Sequence, residues 1–310
     1  MRKTKTINGK KAPWKIIFFL SVLIGLNFNA LSGSGQGAAQ AQAEIPEIAT
    51  PGVEKLINVG GRKLHCFVYG SGSPAVILIS AFETPQKNWN PVIPDLAAKA
   101  TVLTYDRAGV GKSELGDLPA HGEQAARDLH ALLEQLALPK PYILVGHSLG
   151  GFVARLFASM YPDEMGGLIL EENQHEDNLA EMRKLLDGQD LETFDQVLLP
   201  GFAAPEHPRT EGDYRQVTRE QVKKSKPLPR VPFVILTVRG RAAAMRGMFS
   251  DKAIEAMTKL DEDLMGRLSA SVPGGRQVMI EGTGHYVHVD KPEALIVPVV
   301  EMIKTVGESK

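Results

Sequence analysis

Cysteine is nearly absent from this sequence, since Cys66 is the only one among 310 residues. An internal disulfide is therefore excluded, and stability must come from a packed core. Cys66 lies in the strand-like stretch RKLHCFVYG, which indicates a buried thiol and not a reactive one. The 43% hydrophobic and 23% charged residues are typical of a globular chain with one domain of about 250 residues and additional segments.

Basic runs are also lacking beyond the N-terminus, and the formal net charge is −1. The electrostatic footprint of a nucleic-acid-binding protein is therefore missing, and we expect a small-molecule substrate with no nucleic-acid partner. The spacing His285-x-x-His288 has no evident third or fourth ligand nearby. We therefore expect neither a metal nor another cofactor.

The N-terminus lacks acidic residues and a long apolar run. Six Lys and Arg residues precede the apolar run IIFFLSVLIGL at 16–26, whose 11 residues fall short of the roughly 20 that a membrane-spanning helix needs. This pattern predicts an export signal and linker over residues 1–43, with small-residue cleavage sites near Ala30 or between Ala41 and Ala43. Its removal leaves a net charge of −7, because six positive and no negative charges are lost. We expect a periplasmic or secreted protein; an uncleaved segment that tethers it to the membrane is the alternative.

From about residue 53 onward, short apolar runs alternate with helical patterns. Strands separated by helices favour right-handed crossovers and a mostly parallel sheet flanked by helices, which is the α/β class. In such sheets ligands bind beyond the carboxyl ends of the strands. The predicted strands are 57–70 (a hairpin that turns at Gly60-Gly61), 75–80, 100–106, 142–146, 167–171, 232–238 and 276–282, and the predicted helices are 121–138, 149–160 and 252–270.

The stretch DRAGVGKSE at 106–114 ends in a way that is similar to a phosphate-binding P-loop. The full pattern needs a glycine where Asp106 stands, and no helical pattern begins at Lys112. The backbone cradle for phosphates is therefore incomplete, and an NTPase is not expected.

The stretch VGHSLGG at 145–151 carries the strongest chemical signal. An apolar strand precedes it and a helical pattern follows at once, which is the arrangement of a nucleophile elbow. Gly146 and Gly150 fit this interpretation, because the tight turn crowds the positions two residues before and after Ser148. The hydroxyl of Ser148 would stand at the helix N-terminus, whose dipole favours developing negative charge. A serine N-cap with glycines for packing is the alternative.

A serine hydroxyl needs a base within hydrogen-bond reach. His285, in EGTGHYVHVDKPE, follows the last apolar strand beside Gly284, so a loop can bring its imidazole over the sheet edge. His288 is the alternative base. His147 lies in the elbow itself, and we expect its side chain to point away from that of Ser148 and to pack.

Four stretches in combination resemble the α/β-hydrolase superfamily over about residues 55–305: 142–161, YDRAGVGKS at 105–113, ILISAFE at 77–83 and GTGHYVHVDKPE at 282–293. The resemblance implies an oxyanion hole of two backbone N–H groups, one from Leu149 and one from the loop after AVILIS. Family members often have His-Gly in that loop, whereas Ser80-Ala81-Phe82 stands here. We expect Phe82 to be the second donor, with Ala81 as the alternative.

The same resemblance divides the chain into a core of residues 53–172 and 231–308 and a small helical cap of residues 173–230. Within the cap, NLAEMRKLLD and DLETFDQVLL have the pattern of two short amphipathic helices. TREQVKKSKPLPR at 218–230 is expected to return to the core as a basic, proline-rich connector. Apolar cap residues that are candidates for pocket lining or for core packing are Met182, Leu185, Leu186, Phe194, Val197 and Phe202.

The acid of the triad is where the sequence departs from the commoner family pattern, because no carboxylate follows PFVILTV (232–238) until Asp251. A minority of the superfamily takes the acid from the end of the preceding strand, GLILE, and Glu172 falls at that position. Strand alternation directs Glu171 and Glu172 to opposite faces, so at most one of them reaches His285. We predict Glu172 as the acid. Glu171, Asp177 and Asp251 are the alternatives, as is a pair of merely solvated glutamates.

Serine at the elbow also limits the reaction, since dehalogenases and epoxide hydrolases of this fold have aspartate there. The resemblance therefore implies acyl transfer: Ser148 attacks the carbonyl of a small to medium carboxylic ester, lactone or related compound, and water activated through His285 releases the acid. An aminopeptidase or acyltransferase on the same scaffold is one alternative. A non-catalytic small-molecule-binding protein is the other.

Overall fold

The computed structural model describes residues 45, 47–202 and 208–308 of the chain. The export signal and linker predicted for residues 1–43 lie outside them. Across the described ranges, none of the helices combines the length and apolar character needed to cross a bilayer.

The described residues form one eight-stranded sheet, with the strand order β1-β2-β4-β3-β5-β6-β7-β8. Strand β2 is antiparallel to β1 and β4, and all other neighbours are parallel, which confirms the predicted mostly parallel sheet. The strands are β1 Gly52–Asn58, β2 Lys63–Tyr69, β3 Ala75–Ile79, β4 Thr101–Tyr105, β5 Tyr142–His147, β6 Met165–Glu171, β7 Phe233–Val238 and β8 Arg276–Ile280.

Helices cover both faces of this sheet, because the central strands carry apolar side chains on both sides. Every residue of β3, β4, β5, β6 and β7 is buried. The α-helices are α1 Ile93–Ala97, α2 Gly122–Leu136, α3 Leu149–Met160, α4 Asn178–Leu185, α5 Gly188–Thr193, α6 Arg215–Lys224, α7 Asp251–Ala270, α8 Val287–Asp290 and α9 Pro292–Glu308.

Alternate residues of each central strand enter two separate cores. Leu144 of β5 packs with α2, α3 and the second half of α7 on one face. The adjacent Ile143 packs with α1 and α9 on the other face. Successive strand residues point to opposite sides of the sheet, so each central strand contributes to both cores.

The strand order reverses at β3, which lies between β4 on one side and β5 on the other. The connections that leave neighbouring strands in opposite directions open a crevice at their carboxyl ends, where α/β folds bind ligands. The loop after β3 contains Phe82, and the turn after β5 contains Ser148. The topology therefore brings the two predicted halves of the oxyanion hole to one edge.

The segment 173–230 is more helical than its sequence predicts. Helix α6 includes the first half of the expected connector, because Thr218 and Val222 form a buried face one helical turn apart. This helix packs against α2 and α3. The second predicted cap helix is divided into α5 and a π-helical turn, Phe194–Leu198. The apolar cap residues mostly pack with α7 in a third core, which contains Met182, Leu186, Phe194 and Phe202.

Removal of a core side chain from β5 should reduce the stability of the whole domain. Leu144 is completely buried in the first core, so we expect Leu144→Ala to lower the free energy of unfolding by about 2–5 kcal/mol. The matched control is Leu185→Ala, because Leu185 is 48% exposed and its truncation should change stability by less than about 0.5 kcal/mol. Urea unfolding of both variants tests the expectation, and equal stabilities would contradict the assigned core.

Candidate active site

Ser148 occupies a sharp turn between β5 and α3. Its backbone has φ 52° and ψ −118°, a conformation that non-glycine residues rarely adopt. Such strained conformations occur mainly at functional sites. A Cβ atom on Gly146 would lie 2.7 Å from the carbonyl oxygen of Gly150, and one on Gly150 would overlap the carbonyl oxygens of Ile79 and Ser80. The Asn173 side-chain amide donates a hydrogen bond to the Ser148 carbonyl oxygen at 2.7 Å. Both glycines and Asn173 therefore hold Ser148 in this turn.

The imidazole of His285 and the carboxylate of Glu172 meet beside this turn. His285 Nδ1 lies 3.3 Å from Glu172 Oε2, which is 113 residues away in the sequence. We assign the Nδ1 proton to this contact, because a carboxylate only accepts, and Nε2 is then the nitrogen without a proton in the neutral imidazole. The loop before His285 is held by Asp290, whose Oδ2 accepts a hydrogen bond from the Gly284 N–H at 2.7 Å.

Glu172 is a completely buried carboxylate that receives several donors. Its Oε1 accepts the Val238 N–H at 2.7 Å, and its Oε2 lies 3.5 Å from Arg241 Nη1. Arg241 in turn pairs with Asp261 at 2.8 Å. Glu172 follows the end of β6 with φ 49°, so the chain turns sharply where the side chain leaves the strand.

Burial favours a neutral carboxyl group at Glu172, but the opposing contacts are stronger. The positive charge of Arg241, the hydrogen bond and charge of His285 and the Val238 N–H together hold the pKa of Glu172 below its usual value of 4.5. The carboxylate is therefore ionised at neutral pH and able to orient His285. Burial and the ionised Glu172 raise the pKa of the neighbouring Asp261, against the lowering effect of Arg241.

His147 is fully buried and holds the loop that carries His285. Its Nε2 donates to the carbonyl oxygen of His285 at 2.8 Å. Burial and the charges of His285 and His288 keep the pKa of His147 well below its usual value of 6.5, so it is a neutral donor. Its side chain packs among the rings of Trp89, His285 and His288, as the sequence predicts.

Glu171 and His288 form a second buried pair, separate from the first. His288 Nδ1 lies 2.8 Å from Glu171 Oε1, and its backbone N–H donates to the same oxygen at 2.9 Å. Each of the two adjacent glutamates therefore contacts a different histidine. No group of three or more side chains suited to a metal ion occurs among the described residues.

The other candidate acids lie elsewhere. Asp177 pairs with Lys223 at 2.7 Å. Asp251 is exposed at the first residue of α7. The contact with His285 is made by Glu172.

The loop after β3 is held from two sides by a buried ion pair. Arg107 donates to the carbonyl oxygens of Ser80 and Ala81 at 2.5 and 2.7 Å, and it forms two hydrogen bonds with the carboxylate of Glu211 at 2.7 and 2.8 Å. The Glu83 N–H donates to the same carboxylate at 2.6 Å. Phe82, between these anchored residues, lines the cavity beside Ser148. The N–H of Leu149 lies in the first turn of α3, where helix geometry provides no intrahelical acceptor.

A cavity of about 300 Å³ brings these groups together. Its lining includes Ser148, Leu149, His285 and Phe82. A space of this size accepts a small organic molecule, at the lower end of the range for ligand pockets. The five residues singled out from the sequence therefore converge, four on the cavity wall and Glu172 behind His285.

Several supporting residues were not identified from the sequence, among them Arg107, Glu211 and Arg241. Each acts through a partner distant along the chain, such as the Arg107–Glu211 pair, 104 residues apart. No local pattern marks such pairs. The arginines in DRAG and VRGR were the available signals, since charged residues beside buried strands need partners.

Loss of the Arg241 charge should destabilise the fold and do so in a pH-dependent way. Arg241→Gln leaves Glu172 and Asp261 buried without their counter-ion, so we expect the free energy of unfolding to fall by about 3–5 kcal/mol at about pH 7. The pKa of Glu172 is lower in the folded protein than its usual value of 4.5. The stability that the ionised Glu172 contributes is therefore complete above pH 4.5 and is lost as the pH falls through the lowered pKa. The deficit of Arg241→Gln should therefore shrink in urea unfolding at about pH 4.

The neighbouring Arg239→Gln is the matched control. Arg239 pairs with Glu281 at 3.0 Å on the surface, where such pairs contribute less than about 1 kcal/mol. A deficit for Arg241→Gln that equals that of Arg239→Gln, or that grows as the pH falls, would contradict the role given to Arg241.

Comparison with known proteins agrees with this geometry. The model of the α/β-hydrolase fold family matches residues 74–255. A dihydrolipoyllysine-residue acetyltransferase component of an acetoin cleaving system from Pseudomonas putida is 30% identical over 192 residues, which cover 60% of this chain and 47% of that protein. The chain spans about half the length of the curated relatives it matches.

Solved structures share the fold at low sequence identity. A thermophilic esterase from Thermogutta terrifontis has a TM-score of 0.54 at 20% identity and covers 83% of this chain and 99% of its own. A putative epoxide hydrolase from Pseudomonas aeruginosa has a TM-score of 0.58 at 17% identity, with 85% and 99% covered. On its strand order, its elbow and the matched family model, the chain belongs to the α/β-hydrolase fold family.

Proposed function

We propose that this protein is a serine hydrolase that cleaves small to medium carboxylic esters, lactones or related acyl compounds through an acyl-enzyme. The observation that carries the proposal is the convergence of Ser148 and His285 on one cavity, with the ionised Glu172 in contact with His285 Nδ1. This is the arrangement that activates a serine hydroxyl. Serine at the elbow favours acyl transfer over the alkyl-enzyme chemistry of epoxide hydrolases.

In the first half-reaction, Ser148 Oγ attacks the carbonyl carbon while its proton passes to His285 Nε2. The imidazolium that forms is stabilised by Glu172 through the Nδ1–H contact. The carbonyl oxygen becomes an oxyanion, and the N–H groups of Leu149 and Phe82 are the proposed donors to it. Collapse of this intermediate breaks the bond to the alcohol oxygen, which takes the proton from His285 and leaves.

In the second half-reaction, water replaces the alcohol. Its proton passes to His285 Nε2 as its oxygen attacks the acyl carbon, and a second oxyanion forms in the same hole. Collapse then breaks the bond to Ser148 Oγ, which recovers its proton from His285. The carboxylic acid is released, and the enzyme returns to its starting state.

Labelling with a fluorophosphonate probe tests the proposal directly, because the probe reacts with an activated serine. We expect wild type to be labelled and Ser148→Ala to be unlabelled. His285→Ala and Glu172→Gln should lower the labelling rate by about 10³- to 10⁴-fold, since the first removes the proposed base and the second removes the carboxylate that orients it. Mass spectrometry of the labelled peptide should identify Ser148 as the modified residue.

Asp177→Asn and Asp251→Asn are the controls for the acid, because each removes a candidate carboxylate and leaves the contact between Glu172 and His285 intact. They should be labelled at the wild-type rate. Normal labelling of Glu172→Gln would defeat the acid assignment. A wild type that is folded but unlabelled, and that hydrolyses no ester, would favour the non-catalytic binding protein.

The proposal includes export of the mature protein. Residues 1–43 carry the basic and apolar pattern of an export signal, and this pattern is its support. Expression of the full chain in a bacterium, followed by cell fractionation and intact-mass measurement, tests it. We expect a shortened chain in the periplasm or medium, and a full-length cytoplasmic product would contradict export.

A further inference from the structure

The charged side chains on the wall of the catalytic cavity are all positive. Arg215, Arg219, Arg239 and Arg241 line it, and no aspartate or glutamate does so among the described residues. Four cations on the wall of a cavity of about 300 Å³ create a strongly positive field for any molecule that enters.

Two of these charges are already used by the protein. Arg239 pairs with Glu281 at 3.0 Å, and Arg241 pairs with Asp261 at 2.8 Å while it also faces Glu172. The carboxylates of Asp261 and Glu172 offset the charge of Arg241, and solvent screens the exposed charge of Arg239. Glu83 and Asp213 act in the same way on Arg215. The positive character of the cavity therefore depends mainly on Arg219.

Arg219 is a buried cation without a carboxylate partner in the part of the chain that the structure describes. Only 4% of the residue is exposed. Its guanidinium donates to two neutral acceptors, the carbonyl oxygen of His175 at 3.2 Å and the side-chain oxygen of Gln174. The carboxylates whose charges act on it, Glu176 and Asp261, are paired with Arg155 and Arg241. A buried charge without a direct counter-ion is costly, and it becomes favourable when an anion binds.

The environment of Arg219 weakens its hold on the proton without removing it. Burial, followed by the charges of Arg215 and Arg241, lowers the pKa of Arg219 to about 10. The group therefore remains a cation at neutral pH. The repulsion from Arg215 and Arg241 is the kind that a bound anion relieves.

Aromatic rings fix the orientation of Arg219 and Arg215. Arg219 lies over the rings of Phe152 and Phe202, at 5.2 and 5.3 Å from their centroids. Arg215 lies over the rings of Phe82 and Phe202, at 5.0 and 5.2 Å. A guanidinium that stacks on a ring directs its N–H groups sideways, where they can bind a carboxylate. Since Phe82 and Phe152 line the same cavity wall as Ser148, the two cations lie close to the reacting end of the cavity.

We propose that Arg219, with Arg215 beside it, is an anion subsite of the catalytic cavity, and that the substrate is a small ester that carries a carboxylate. The identity of the substrate as an ester rests on the proposed function, whereas the binding of an anion at Arg219 is independent of it. One uncompensated cation matches one carboxylate better than a phosphate dianion, because the charges of Glu83 and Asp213 already act on Arg215. The small cavity limits the acid to a short chain.

Two esters of matched shape test the subsite. Monoethyl adipate carries a carboxylate, and the ethyl ester of adipic acid monoamide replaces it with a neutral amide. We expect wild type to hydrolyse the anionic ester with a kcat/KM at least about tenfold higher, as a charge-assisted hydrogen bond implies. Equal values for the two esters would overturn the proposal without any variant.

Arg219→Met tests the residue. It should lose the preference for the anionic ester through a higher KM and retain its activity on the neutral one, whereas Arg219→Lys should keep part of the preference. Arg239→Met is the matched control, because it removes a cation that already has a partner, and it should keep the wild-type preference. A purely structural role of Arg219 predicts an equal loss on both esters, which would also overturn the proposal.

Calorimetry separates failure of the subsite from failure of the proposed reaction. Monoethyl adipate should bind to Ser148→Ala, and binding should be lost when Arg219→Met is added. If neither ester is hydrolysed but this binding pattern holds, the hydrolase proposal fails and the subsite stands. No binding to Ser148→Ala overturns the subsite. Inorganic phosphate should compete more weakly than adipate, and stronger competition would overturn the assignment to carboxylates.

Discussion

The contact between the buried, ionised carboxylate of Glu172 and the imidazole of His285 is the interaction on which the rest of the site depends. A buried carboxylate without partners takes up a proton, and a neutral acid would not stabilise the imidazolium of His285. Arg241, the Val238 N–H and His285 Nδ1 prevent this by favouring the charged form. The strand end, the loop after β7 and the loop after β8 must therefore keep their relative positions for Glu172 to stay ionised beside His285.

The end of β6 divides two adjacent glutamates between two histidines. Glu171 is the last strand residue and contacts His288, while the turn at Glu172 directs its carboxylate to His285. Because His285 and His288 lie three residues apart, both contacts fix the same loop against the same strand end. His147 adds a third contact from the elbow to the His285 carbonyl oxygen. The loop that carries His285 is thus held by β5 and β6 together.

A second network holds the loop after β3 and links it to the segment inserted between β6 and β7. Arg107 donates to the loop carbonyls while Glu211 of the insertion neutralises Arg107 and accepts the Glu83 N–H. A buried ion pair is favourable only when each partner is well hydrogen-bonded, which is the case here. The insertion therefore contributes to the shape of the reacting end as well as to the cavity wall. His-Gly, common in this loop elsewhere in the family, is replaced without loss of a fixed backbone.

The local pattern of apolar, polar and glycine residues predicts most of the strands and the turn that carries Ser148. Apolar runs predict strands β2 to β8, and the elbow motif predicts the turn at Ser148, because strand burial and turn sterics depend on neighbouring residues. Most of the exposed strand β1 was not predicted. Pattern was insufficient in the segment 173–230, where tertiary packing continues α6 through residues expected to form a connector. The sequence predicts Phe82 as the second oxyanion donor with Ala81 as the alternative, and of these two Phe82 lines the cavity.

The sequence determines the α/β alternation, the candidate nucleophile and the short set of candidate bases and acids, since each is a property of residue type and local spacing. The tertiary structure decides which of these residues meet. Glu172 and His285 are 113 residues apart, and Arg107 and Glu211 are 104 apart. Contacts over such separations are set by the order of strands in the sheet and by the charges buried between loops, and neither is written in any single stretch of the chain.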